Sequence, residues 1–141
     1  MQTYAYPASL EPGDTAGVTV VTFPDLPEAI TEGTGPAEAR AMAADALGMV
    51  LLAYLREGRA LPAPSAGREM ITPNPEVAAK LAVIEAFRAA GISRSELARR
   101  LGRDEKEARR ILDPTHRTKL QTLAAALAVL DRRLVIGVEA A

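Results

Sequence analysis

The sequence contains no cysteine. That excludes disulfide staples, zinc–thiolate sites and thiol nucleophiles together. It has no tryptophan, two phenylalanines, three tyrosines and one histidine, His116. Aromatics make up 4% of the 141 residues and apolar residues 48%, so Leu, Ala, Val and Ile must supply the core. A lone histidine gives little support to common zinc schemes or to a serine–histidine triad. His116 lies beside Arg117 and reads as a solvated or phosphate-proximal side chain. No apolar run approaches the ~18 residues of a membrane helix. The start, Met1-Gln2-Thr3-Tyr4, lacks the basic flank and apolar stretch of a signal peptide. The expectation is a soluble intracellular protein with no metal, no cofactor and no catalytic residue.

Net charge is small, at −1, but the charges are unevenly placed. Residues 1–72 carry four basic side chains, Arg40, Arg56, Arg59 and Arg68, against nine acidic ones, giving −5. Residues 73–141 carry thirteen basic and nine acidic side chains, giving +4. Opposed halves of this kind suit two surfaces with different partners, one basic and one polyanionic.

The pattern predicts an α+β chain. Residues 3–7 read as a first strand, with Tyr4 and Tyr6 on one face. Glu11-Pro12-Gly13-Asp14 reads as a turn. Residues 17–23 set Val18, Val20 and Val21 among threonines, a strand composition. Pro24-Asp25-Leu26-Pro27 breaks that strand into a loop or an edge. Residues 29–32 give a short third strand. A helix opens at Pro36 and stops at Gly58. Its stripe reads Ala39, Met42, Ala43, Ala46, Val50 and Tyr54, widened by Leu47, Leu51 and Leu55. Residues 68–71 form a fourth strand. Thr72-Pro73-Asn74-Pro75 is the best boundary, dividing a domain over 1–72 from one over 73–141. Beyond it, helices are expected over 75–90, about 94–101, about 105–112 and about 119–130. Ser93 to Glu96 and Thr118 to Gln121 match capping boxes. A short apolar strand, with Leu134, Val135, Ile136 and Val138, closes the chain. Its backbone groups need partners. Pairing with the same strand of a second copy makes a dimer; the alternative is an added edge on the N-terminal sheet.

Residues 92–112 carry the clearest functional signal. Leu97, Ala98 and Leu101 face inward, with Ala98 small where two helices cross. Gly102 permits the turn, and Ala108, Ile111 and Leu112 anchor the second helix. This order resembles the helix-turn-helix of phage-repressor-like regulators, whose second helix enters the major groove. The face left free carries Glu105, Lys106, Arg109 and Arg110. Arginine reads guanine edges, and lysine reads them or holds phosphate. The capped start at Ser93 and Arg94 offers amides to a phosphate. Arg117, Thr118 and Lys119 supply further backbone contacts. Arg103 joins this set, at a turn position that is usually apolar in the motif. Asp104, Glu105 and Glu107 make the second helix unusually acidic.

A second resemblance covers residues 1–72. Phe23-Pro24-Asp25-Leu26-Pro27-Glu28-Ala29, Thr31-Glu32-Gly33, Glu38-Ala39 and Leu61-Pro62-Ala63-Pro64-Ser65 follow in an order similar to that of the HicB antitoxin family. Some members of that family continue into a helix-turn-helix. The resemblance implies a truncated RNase-H-like β-β-β-α-β domain without nuclease activity, followed by an all-α DNA-binding and dimerisation domain. It implies as partner a HicA-like mRNA interferase toxin, a small RNA-cleaving protein with a double-stranded-RNA-binding fold, whose active site the antitoxin masks. It further implies repression of its own operator in the cytoplasm of a bacterium or archaeon. The toxin-facing role carries over to Phe23, Pro24, Asp25, Leu26 and Pro27. The sequence leaves dimer against tetramer open. It also leaves open a free-standing regulator whose N-terminal domain senses a ligand. An RNase-H-like hydrolase has less support, because Asp25, Glu28 and Glu32 do not obviously converge as two-metal chemistry requires.

Overall fold

A computed structural model describes all of residues 1–141. The chain separates into two compact units, Met1–Asn74 and Pro75–Ala141.

The first unit is built on valine-rich β3 (Val18–Thr22), which runs antiparallel to β2 (Ser9–Pro12) and β4 (Ile30–Thr34). Gly17, at φ 81°, takes the left-handed conformation that closes the β2–β3 turn, where the Gly13 amide donates to the Val18 carbonyl at 2.8 Å. A second small sheet pairs β1 (Tyr6–Pro7) antiparallel with β5 (Met70–Ile71). The expected first strand over 3–7 is confined to Tyr6–Pro7, and a strand that was not expected, β2, follows after Ala8, whose amide donates to the Glu69 carbonyl. The expected turn starts later, because Pro12 pairs with Thr19 on a strand that has β3 on one side only; proline is tolerated on such an edge. The order remains strands, helix, strand, as an α+β reading requires.

Helix α1 (Pro36–Arg56) begins with proline in its first turn and Glu38 beside it, both favoured at a helix start. It ends at Gly58, φ 75°, where the Gly58 and Arg59 amides return to the Leu55 and Tyr54 carbonyls, a Schellman closure. The buried stripe is Ala39, Ala43, Leu47, Leu51, Tyr54 and Leu55. Met42, expected within it, is 42% exposed. Each leucine lies four residues from the last, so the stripe drifts around the helix and leaves Met42 behind. Val21, Phe23, Leu26 and Ala29 are buried with it.

The second unit packs α2 (Pro75–Ala90), α3 (Arg94–Leu101), α4 (Glu105–Leu112) and α5 (Leu120–Val129) around one core. Val83, Leu97, Ala108, Ile111, Leu123 and Ala126 are essentially inaccessible there. Helix α5 closes at Asp131, φ 61°, with Asp131 and Arg132 amides on the Ala128 and Leu127 carbonyls.

The expected terminal strand is not formed. Residues 134–138 form no strand, and the second unit holds no strand for them to pair with; a strand has no ladder without a neighbour. Leu134 packs against the helical core, while Val135, Ile136 and Val138 are 53%, 61% and 98% exposed.

Candidate functional site

The helix pair α3–α4 is set by local chemistry. The Ser93 hydroxyl accepts from the Glu96 amide at 3.1 Å and starts α3. Gly102 ends it at φ 66°, with Arg103 and Gly102 amides on the Ala98 and Arg99 carbonyls. Two residues later the Asp104 carboxylate accepts from the Glu107 amide at 2.8 Å and starts α4. Leu97 and Ala98 face Ala108 and Ile111 in the core. The turn between the helices is therefore fixed at both ends, and α4 presents Glu105, Lys106, Arg109 and Arg110 to solvent on the side opposite Ala108 and Ile111.

The expected capping boxes are only partly present. At α3 the Ser93 half forms, but Glu96 does not reach back. Its carboxylate takes bonds from Arg99 Nε at 2.8 Å, Arg99 Nη2 at 2.5 Å and Arg100 Nε at 3.1 Å. Two guanidiniums outbid one amide, and those bonds hold the Glu96 carboxyl at about 2. Arg100 also donates to the Val129 carbonyl at the end of α5. At α5 no side-chain cap forms; Lys119 is the capping residue.

Thr118 is the candidate that the structure removes from the surface. It is buried, and its hydroxyl accepts from Lys80 Nζ at 2.7 Å. Lys80, on α2, was missed by sequence reasoning and is the one buried ionised side chain. It also donates to the carbonyls of Ile111 at 2.7 Å and Arg110 at 3.1 Å, in the last turn of α4. A cation there complements the helix C-terminus and satisfies otherwise orphaned carbonyls. Burial pulls its pKa down to about 8, against the pull of Asp113. His116 Nδ1 lies 3.2 Å from the same Thr118 hydroxyl.

The remaining candidates divide by whether a carboxylate already holds them. Arg103 is paired with Glu107, and Arg117 with Glu76 at 3.3 Å. Glu105 accepts from Ser95. Arg94, Lys106, Arg109, Arg110 and Lys119 are exposed and carry no ion pair within the unit.

In the first unit, the Phe23–Pro27 loop is mostly structural. Phe23 and Leu26 are buried at 2% and 0%, and their side chains serve the core of the unit. Asp25 clamps the 61–67 loop, accepting from the Ser65 amide at 2.8 Å and its hydroxyl at 2.5 Å. Only Pro24 and Pro27 are exposed. Glu28 accepts from the Tyr54 hydroxyl at 2.9 Å, and Arg59 lies over the Tyr54 ring, 3.7 Å from its centroid. Its own backbone amide and the Tyr54 hydroxyl hold Glu28 below the usual carboxylate range. Burial, then the Glu28 bond, raises Tyr54.

No three of His, Asp or Glu come together as a metal site. No helix is long and apolar enough to cross a membrane.

Residues 5–89 match the family described as HicB_like antitoxin of bacterial toxin-antitoxin system. That span runs from β1 through most of α2. Curated relatives extend the likeness through α3, α4 and α5. Antitoxin HicB 1 of Photorhabdus laumondii is 34% identical over 135 residues, 95% of this chain and 86% of the relative. Antitoxin HicB 2 of the same organism is 38% identical over 130 residues, 92% of each chain. Antitoxin HicB of Escherichia coli K12 is 34% identical over 132 residues, 92% of this chain and 95% of that one.

Proposed function

The chain belongs to the HicB-like antitoxin family of bacterial toxin–antitoxin systems, and on that premise we propose that it neutralises a HicA-type RNA-cleaving toxin and represses its own operon by binding DNA. The observation that carries the second half is the solvent face of α4. Lys106, Arg109 and Arg110 project there without carboxylate partners, on a helix whose angle to α3 is fixed by two caps and a glycine. Such a helix suits the major groove, with arginines on base edges and the flanking cations Arg94 and Lys119 on phosphates.

A two-fold operator calls for two copies. Val135, Ile136 and Val138 are exposed beside unpaired backbone, and pairing of this segment between copies would bury them. Two reading helices would then sit about one DNA turn, ~34 Å, apart. The acidic first unit takes the toxin, because a protein that binds RNA offers cations to its phosphates and those cations suit an acidic partner.

Two measurements test the division of labour. The tagged protein is captured from its source cell at moderate salt, and bound proteins are identified by mass spectrometry. One small basic protein in near-stoichiometric amount, lost on deletion of residues 1–72, is the expected result. Separately, Arg109→Ala or Arg110→Ala is expected to weaken operator binding by about 1–3 kcal/mol per lost base contact, while toxin capture survives. Loss of toxin capture in either variant would refute the assignment.

A further inference from the structure

The three-stranded sheet has one covered side and one open side. Direct partners across antiparallel strands share a face, and faces alternate along each strand. Leu10, Val21 and Thr31 form one row, and Thr19 and Gly33 belong to the same side. Helix α1 lies there. Val21 is fully buried, and a Cβ on Gly33 would stand 2.6 Å from the Ala39 nitrogen.

On the other side the rows are Ser9, Thr22 and Ile30, then Glu11, Val20 and Glu32, then Val18 with Thr34. No helix of this unit packs on it. Ile30 is 63% exposed, and Val18 and Val20 are half-buried. Next to Ile30, a shallow hollow of about 360 Å³ continues the apolar surface over Phe23, Pro24 and Pro27. Glu11 and Glu32 frame the valines, Asp14 stands in the adjoining turn, and β2, β3 and β4 contain no lysine or arginine. Two of the four cations of the unit are held by carboxylates, Arg40 by Glu69 and Arg59 by Glu28 and Glu57.

An apolar centre within a charged rim is how protein interfaces are built, and the sign of the rim selects the partner. We propose that the open sheet face centred on Val18, Val20 and Ile30 is the docking surface for a basic protein, with Glu11 and Glu32 as its charge contacts. The inference rests on the toxin-neutralising reading above and deepens it. A chain that cleaves RNA presents cations to phosphates, and the two glutamates occupy those cations in the phosphates' place. The face thereby replaces the Phe23–Pro27 loop as the main contact, leaving Pro24 and Pro27 at its edge.

The test titrates the small basic protein recovered in the capture experiment, once purified, against full-length wild type, Ile30→Lys and the Glu11→Lys/Glu32→Lys double variant. All three positions are exposed, so melting temperatures serve as the control for folding. Binding at least tenfold weaker in both variants, with unchanged melting and a smaller salt dependence in the double variant, is expected. Equal binding by all three proteins overturns the surface assignment and leaves the antitoxin reading intact. Failure of wild type to bind any small basic protein overturns the antitoxin reading itself. Loss of self-association by the variants, with the basic protein still bound, also overturns the proposal and makes the face an interface between copies.

Discussion

The Lys80 ammonium donates to the Thr118 hydroxyl across 2.7 Å, tying the middle of α2 to the approach to α5 while its other protons close the end of α4. Lys80→Met leaves those acceptors without a donor. It is expected to cost about 1–3 kcal/mol, the range for unsatisfied buried polar groups, with faster amide exchange concentrated in α4. The deficit also depends on pH. Burial lowers Lys80 from its ordinary 10.5 to about 8. Between those values the unfolded chain holds a proton that the folded chain has released, so wild-type stability rises with pH across that window. The gap between wild type and Lys80→Met therefore widens from pH 8 to 10.5. A constant gap in urea melts over that range would contradict the assignment.

Glu96 titrates in the same sense but in an acid window, because its pKa is lowered too. Its bonds from Arg99 and Arg100 hold it at about 2, below its ordinary 4.5. The stability it contributes is present above pH 4.5 and is lost as pH falls toward 2. Glu96→Gln is expected to flatten the acid limb of the thermal stability profile and to leave the neutral region slightly lower. An unchanged acid limb would show that the three side chains act independently.

Two glycines separate two physical reasons for having no side chain. Gly102 sits at φ 66° with open space around its absent Cβ, so Gly102→Ala meets only backbone strain, about 1–2 kcal/mol, and Gly102→Asn meets less. Gly33 has no positive φ, but a Cβ on it would stand 2.6 Å from the Ala39 nitrogen. Gly33→Ala must push α1 off the sheet and is expected to destabilise more than Gly102→Ala. Denaturant melts of the two variants decide the order.

Asp25 is expected to behave as a clamp. Asp25→Ala releases the Ser65 amide and hydroxyl, so proteolytic nicking within residues 61–67 should accelerate while toxin affinity changes little. A large loss of affinity with an intact loop would make Asp25 a partner contact instead.

What the sequence makes legible is whatever neighbours in the chain decide. The caps Ser93 and Asp104, the left-handed Gly102 and the small Ala98 all act within a few residues, and each lies where the spacing predicts. Lys80 was hidden because a lysine in a helix reads as solvated. Its burial depends on Ile111 and Thr118, which lie 31 and 38 residues away. Thr118 carried a capping signature for the same reason: its neighbours could not reveal that a distant ammonium would claim its hydroxyl. Composition places the valines in a strand but does not say which face α1 covers, so the open side is not legible in the sequence, whereas the proline loop is. Residues 134–138 have strand composition, yet a ladder needs a second strand that composition does not supply.

The pairing of Arg103 and Arg117 with glutamates has a consequence in ions released. Of the seven cations that the sequence assigns to the DNA face, those two are already neutralised within the unit, leaving Arg94, Lys106, Arg109, Arg110 and Lys119. A phosphate backbone docked there displaces counterions only against unneutralised charge, at a slope of about −0.9 per contact on a double-logarithmic salt plot. Each copy would thus contribute a slope of at most about −4.5, and a count of arginines and lysines alone would overstate how sharply salt releases the operator.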